Sequence, residues 1–232
     1  YLVAFFGRKG AADEALGALY QNSLVEKEEH KDGAVRLSMH AHIHELIHES
    51  LSASEKKALL PQVIHVVSQA FAGRSDQFAE CLFDEPVHLK QAKAVMKVAD
   101  HQQFVSPALL QLKIRYLDVV LFVERNFKEA ERIIKSIQLS FLRHPQMFKN
   151  VSPTDQALFE QAKGYYRSFK NPDLDYALAQ ERKAYAIFKK AQASPVECLR
   201  TLGNIIQSCA FAGRLEEVRP LIQEGQNLFT PP

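Results

Sequence analysis

The sequence predicts an all-α protein built from stacked helical hairpins, and three observations carry that expectation. First, the pairs Ser106-Pro107, Ser152-Pro153 and Ser194-Pro195 each stand directly before a long apolar helical pattern. Serine at an N-cap accepts a hydrogen bond from an orphan backbone N–H. Proline at the next position has no N–H to leave unpaired, and its φ already suits the helix. The three prolines are spaced by 46 and then 42 residues, room for two helices in each interval, as in a repeated hairpin. Second, Ala70-Phe71-Ala72-Gly73-Arg74 returns as Ala210-Phe211-Ala212-Gly213-Arg214, each time between two helical patterns. Third, helices apolar on several sides alternate with helices carrying one stripe. Leu109, Leu110, Leu112, Ile114, Leu117, Val120 and Leu121 exemplify the first kind; Phe127, Ala130, Ile133, Ile134, Ile137 and Phe141 exemplify the second. A doubly covered inner helix beside a half-exposed outer one is what a stacked array requires.

Taken in order, the chain opens with Tyr1 to Phe6, which reads as the end of an element begun further upstream. Asp13 to Tyr20 reads as a short helix with Ala12, Leu16 and Leu19 on one face. Ser23 to Lys27 and Ala34 to Ser38 read as strands. Lys31-Asp32-Gly33 between them is hairpin chemistry, since Asp-Gly readily takes the positive φ of a tight turn. Met39 to Leu51 is expected to be helical, with Ile43, Leu46, Ile47 and Leu51 spaced by three and four. Ser52-Ala53-Ser54-Glu55 is a capping box for the next helix. Pro61 is expected to kink that helix or to restart it at Gln62. Val87 to Ala99 and Pro145 to Val151 read as longer connections or extra turns. Gly73, Gly213 and the asparagines Asn126 and Asn171 are expected to supply the left-handed residue at the turns.

The composition is that of an ordinary globular chain: 47% hydrophobic and 24% charged residues exclude disorder. A net charge of +2 is too small to imply a nucleic-acid partner. The longest apolar run, Tyr116 to Val123, is interrupted by Asp118 and falls short of a membrane span. Cys81, Cys198 and Cys209 form neither a disulfide framework nor a zinc knuckle, so a reducing, cytoplasmic setting is expected.

The last hairpins resemble tetratricopeptide repeats. With Gly213 at the turn, Leu202, Ile205, Ile206 and Cys209 fall on the first helix and Val218, Ile222 and Gly225 on the second, at the family's packing positions. Ala162, Tyr165, Ala177 and Ala184 take these places one repeat earlier, and Ala130, Ile134 and Ile137 one before that. The long spacing is similar to that of the kinesin-light-chain and maltose-regulator variants. The resemblance covers roughly residues 62 to 229 and implies a right-handed α-α superhelix. A second resemblance covers residues 12 to 51. Leu19-Tyr20, Ser23-Leu24-Val25, Val35 to His40, Ile43, Glu45 and Leu51 look like the winged helix closing the nucleotide-binding module of STAND (NB-ARC-type) signalling ATPases. Met39 and His40 match that family's Met-His-Asp motif, while Ala41 departs from its aspartate. The resemblance implies that His40 contacts a nucleotide phosphate only if the upstream ATPase module is present; this chain carries no P-loop. The implied division is residues 1–51, winged-helix-like, and 52–232, repeat domain.

Three constellations are candidates for chemistry. His44-Glu45-Leu46-Ile47-His48 spells a zinc-hydrolase motif, in which histidines at i and i+4 hold the metal and the glutamate activates water. The same residues also read as the polar face of an amphipathic helix, and neither a third ligand at a recognisable spacing nor a substrate-binding sheet edge accompanies them. The charge run Val25 to Lys31 reads as a solvated hairpin end. Exposed positions of successive first helices, Arg115, Lys163, Arg167, Arg200, Asn204 and Gln207, would line the concave groove of a solenoid and suit an acidic peptide or a carboxylate. Asp13 to Tyr20 lacks the basic cluster a DNA-reading helix needs. The sequence thus predicts a non-enzymatic protein- or peptide-binding region of a signalling protein, without a cofactor of its own; a zinc hydrolase is the alternative.

Overall fold

The computed structural model describes residues 14, 17–19, 21, 25–29, 35–39, 49–72, 86–170 and 173–229. The chain divides into two compact units, Tyr1–Val67 and Ser68–Pro232; the boundary expected from sequence, after Leu51, lies earlier. Helices dominate the described residues, and the fold is all-α in class.

In the first unit, β1 (Val25–Glu29) pairs antiparallel with β2 (Val35–Met39), Val25 facing Met39 and Glu29 facing Val35. Met39, expected to open the following helix, instead closes β2. Of the flanking segments 14, 17–19, 21, 49 and 50 are described, all helical, and the residues that link them to the strand pair lie outside the described residues. Helix α1 (Ala53–Ala72) begins at the capping box. Glu55 N–H donates to Ser52 Oγ at 3.2 Å, and Ser52 N–H donates back to Glu55 Oε2 at 2.8 Å. The Ser52 hydroxyl, donating to Glu55 Oε2 at 2.6 Å, and then the Ser52 N–H hold the Glu55 carboxyl below its usual range. The helix runs through Pro61 without ending or restarting; the proline is exposed, where its missing N–H and its ring are tolerated most easily.

The second unit comprises α2 (Pro86–His101), α3 (Pro107–Phe122), α4 (Phe127–Arg143), α5 (Pro145–Lys149), α6 (Pro153–Lys170), α7 (Leu174–Lys190), α8 (Pro195–Phe211) and α9 (Leu215–Phe229). The serines cap as expected. Ser106 Oγ accepts from Leu109 N–H at 3.1 Å, Ser152 Oγ from Asp155 N–H at 3.1 Å, and Ser194 Oγ from Glu197 N–H at 3.4 Å. Val87 to Ala99, expected as a longer connection or extra helical turns, lies within the full helix α2, whose buried Ala92, Met96 and Ala99 form a stripe at i, i+4 and i+7.

The turns correct a second expectation. Asn126 is not the left-handed residue; Arg125 is, at φ 50°, and Asn126 caps α4 by accepting from Glu129 N–H at 3.1 Å. Gln103 (φ 52°) and Gln192 (φ 51°) play the part that Gly213 (φ 71°) plays after α8. In these last three turns the following N–H reaches back five residues: Phe104 to Ala99, Ala193 to Phe188 and Arg214 to Cys209, at 2.9, 3.0 and 2.9 Å. Each is a Schellman closure. Asn171 lies outside the described residues.

The packing follows one rule along the unit. Helix α6 packs on both α3 and α4, and α8 packs on both α6 and α7. Helix α3 is buried nearly all round, whereas α4 buries only Ala130, Ile133, Ile134 and Ile137. Of the repeat-type positions, Ala162, Ala177, Ala184, Leu202, Ile205 and Cys209 are buried, but Ile222 is 47% exposed. Ile222 therefore does not serve as a packing residue of α9. Gly164 lets α6 and α7 approach closely: a Cβ there would lie 2.9 Å from both Ala177 O and Glu181 Cγ.

Candidate functional site

The six expected groove residues do not share one surface. On α6, Gln161 and Lys163 are two residues and so about 200° apart around the axis. Gln161 faces α8, where its Oε1 accepts from Arg200 at 3.3 Å. Arg200 also donates to Asp118 Oδ2 on α3 and to Glu197 Oε2, each at 2.7 Å, and its guanidinium lies 5.3 Å from the Phe122 ring centroid. Asp118 is 3% exposed. Arg115 donates to the buried Asp155 at 2.8 Å. Asn204 is half-buried one turn beyond Arg200, and Gln207 is exposed. Arg115 and Arg200 are thus engaged in ion pairs between helices, not presented as a free basic groove. Removing one partner of such a pair strands a buried charge.

Lys163 and Arg167 face the other way, into a cleft of about 370 Å³. Helix α4 contributes Glu131, Ile134, Lys135 and Gln138 to its wall; α6 contributes Lys163, Tyr166, Arg167 and Lys170; α7 contributes Tyr176. Lys163, Arg167 and Lys170 stand at i, i+4 and i+7, one face of α6. The Arg167 guanidinium lies over the Tyr176 ring, 5.7 Å from its centroid. Glu131 pairs with Lys135 at 2.7 Å. Hydrogen bonds from Lys135 and Tyr166 hold the Glu131 carboxyl below its usual range. Lys163 meets Glu160 Oε2 at 2.6 Å, and Lys183 reaches the same carboxylate at 3.1 Å. Among the described residues no carboxylate lies within ion-pair distance of Arg167 or Lys170.

The aromatic residues behind the cleft serve packing. Tyr165 lies 4.3 Å from Phe122 and 4.8 Å from Phe169, and Tyr166 lies 6.4 Å from Phe127, centroid to centroid. A second cleft, of about 530 Å³, opens between the α2–α3 turn and α4, where Phe104, Val105 and Leu139 adjoin Arg132 and Arg143. Its innermost cation, Lys113, is already bound to Asp100 at 2.6 Å and to Ser136 Oγ at 2.8 Å.

His40, His44, Glu45 and His48 lie outside the described residues. Among the described residues no group of three or more His, Cys, Asp or Glu side chains is placed to hold a metal ion. No helix among them is long and apolar enough to cross a membrane. Cys198 and Cys209 are free and buried. Sequence reasoning found Lys163 and Arg167 but missed Lys135, Lys170 and Tyr176. The i+7 spacing of Lys170 from Lys163 was a usable signal. The approach of α4 and α7 to that face was not. No protein-family model, no curated protein and no solved structure matches the chain.

Proposed function

We propose that this chain is a non-enzymatic interaction module whose helical array binds an acidic segment of a partner protein. The observation that supports this reading is the α4–α6–α7 cleft, where cationic side chains from two helices converge and Arg167 and Lys170 are left to bind an outside anion. Charge complementarity sets such a partner's association rate and specificity. Stacked helical pairs of the tetratricopeptide kind are a suitable scaffold, because each pair fixes the position of the next. In this reading the array is the sensor region of a STAND-type signalling protein and residues 1–51 are its winged-helix tail.

A labelled peptide with a run of glutamates, followed by fluorescence anisotropy, tests the reading. Binding is expected to weaken as salt rises and to fall at least tenfold in the double variant Arg167→Glu, Lys170→Glu. Both side chains are exposed, so thermal melts should be little changed. Unaltered affinity in the double variant would refute the assignment of the cleft.

A further inference from the structure

Resting on that reading, we infer that the α4–α6–α7 cleft is built for a phosphorylated side chain of the partner peptide, not for a plain carboxylate. The charge balance comes first. Four cations line the cleft, and Lys183 joins them through Glu160. Against these five stand three carboxylates: Glu131, engaged by Lys135 and Tyr166; Glu160, engaged by Lys163 and Lys183; and Asp173, which accepts from the Tyr176 N–H. The cluster therefore carries a net charge of +2. A single carboxylate leaves half of that excess in place. A phosphomonoester brings about −1.5 to −2 at pH 7 and three acceptor oxygens.

The donor geometry fits the same ligand. The stripe from Lys163 to Lys170 spans about 10 Å along the axis, with Arg167 near its middle. Lysine side chains on either side are long enough for their ammonium groups to turn toward an anion beside Arg167. The Arg167 guanidinium lies over the Tyr176 ring, 5.7 Å from its centroid, and its planar fork of donors suits two oxygens of one group, the geometry that phosphate matches. Arg167 and Lys170, on one helix face and with no carboxylate at ion-pair distance among the described residues, repel each other. A dianion offsets that repulsion more fully than a monoanion.

The test uses three peptides of one sequence, differing at a single position that is phosphoserine, glutamate or serine, titrated into the full chain by calorimetry at pH 7.5 and 5.5. The phosphoserine peptide is expected to bind at least tenfold more tightly than the glutamate peptide. That advantage should shrink at pH 5.5, below the phosphate's second pKa of about 6. Arg167→Met is expected to remove about tenfold of the phosphopeptide's affinity and less of the glutamate peptide's. Equal affinities for phosphoserine and glutamate peptides would overturn the phosphate inference while leaving the acidic-peptide reading standing. Failure of both to bind would overturn both.

Discussion

Glu181 offers the sharpest quantitative test of how α6, α7 and α8 fit together. It is 1% exposed, on α7, against Gly164 of α6. Neither carboxyl oxygen completes a hydrogen bond. The Ser208 hydroxyl on α8, which stands where it could donate one, offsets only part of the burial, and the carboxyl is pushed up to about 7 from the ordinary 4.5. Below pH 4.5 both folded and unfolded chains hold the proton, and the folded state buries a neutral acid. Between 4.5 and 7 the unfolded chain gives up its proton more readily, so stability drains away as pH rises. Above 7 the folded state carries a buried carboxylate, and the loss is complete at about 3 kcal/mol. That is a large share of the roughly 5–15 kcal/mol holding a typical domain together. Glu181→Gln keeps the size and removes the charge. Urea denaturation of both proteins from pH 4 to 8.5 isolates the effect as a difference. The two stabilities should converge near pH 4, and the variant should gain up to about 3 kcal/mol by pH 8.5. A difference that stays flat across this range, or a variant less stable at pH 8.5, would refute the buried-carboxylate argument.

Two further substitutions test the packing. Gly164→Ala in an exposed helix would stabilise by up to about 1 kcal/mol, but here the added methyl meets a backbone carbonyl at 2.9 Å. The expected result is a loss of roughly 1–3 kcal/mol in a thermal or urea melt, and a gain would show that α6 and α7 have slack. Arg200→Met leaves Asp118 and Glu197 without their shared cation and should cost about 3–5 kcal/mol. In anisotropy titrations on the folded fraction, its affinity for acidic peptides should stay near that of the parent, separating it from Arg167 and Lys170.

What the sequence disclosed depended on the range over which each signal acts. The caps at Ser52, Ser106, Ser152 and Ser194 were legible because an N-cap is settled within four residues. The all-round burial of α3 was legible because its apolar positions fill every side of one helix. The left-handed turns were not. Gln103 and Gln192 occupy a conformation usually given to glycine, held there by Schellman bonds that a composition rule does not reveal. At the α3–α4 turn the asparagine was better used as an acceptor for Glu129 N–H, and Arg125 took the positive φ instead. The groove was misread for a related reason. Arg115 and Arg200 look like free cations until α6 and α3 bring Asp155 and Asp118 to them from 40 and 82 residues away. The cleft inverts the lesson: α6 supplies a visible basic stripe, but only folding adds Lys135 and Tyr176.

The bond between Arg200 and Asp118 bears on how the molecule comes apart. In a chain of hairpins tied only to adjacent ones, an end can fray while the remainder stays intact. Here α3 and α8 are tied past the α6–α7 pair, through a buried carboxylate whose counter-ion comes from the far helix. Peeling away α8 strands that anion inside α3, so loss at one end is felt two storeys off. The tether is expected to couple the melting of α8 to that of α3.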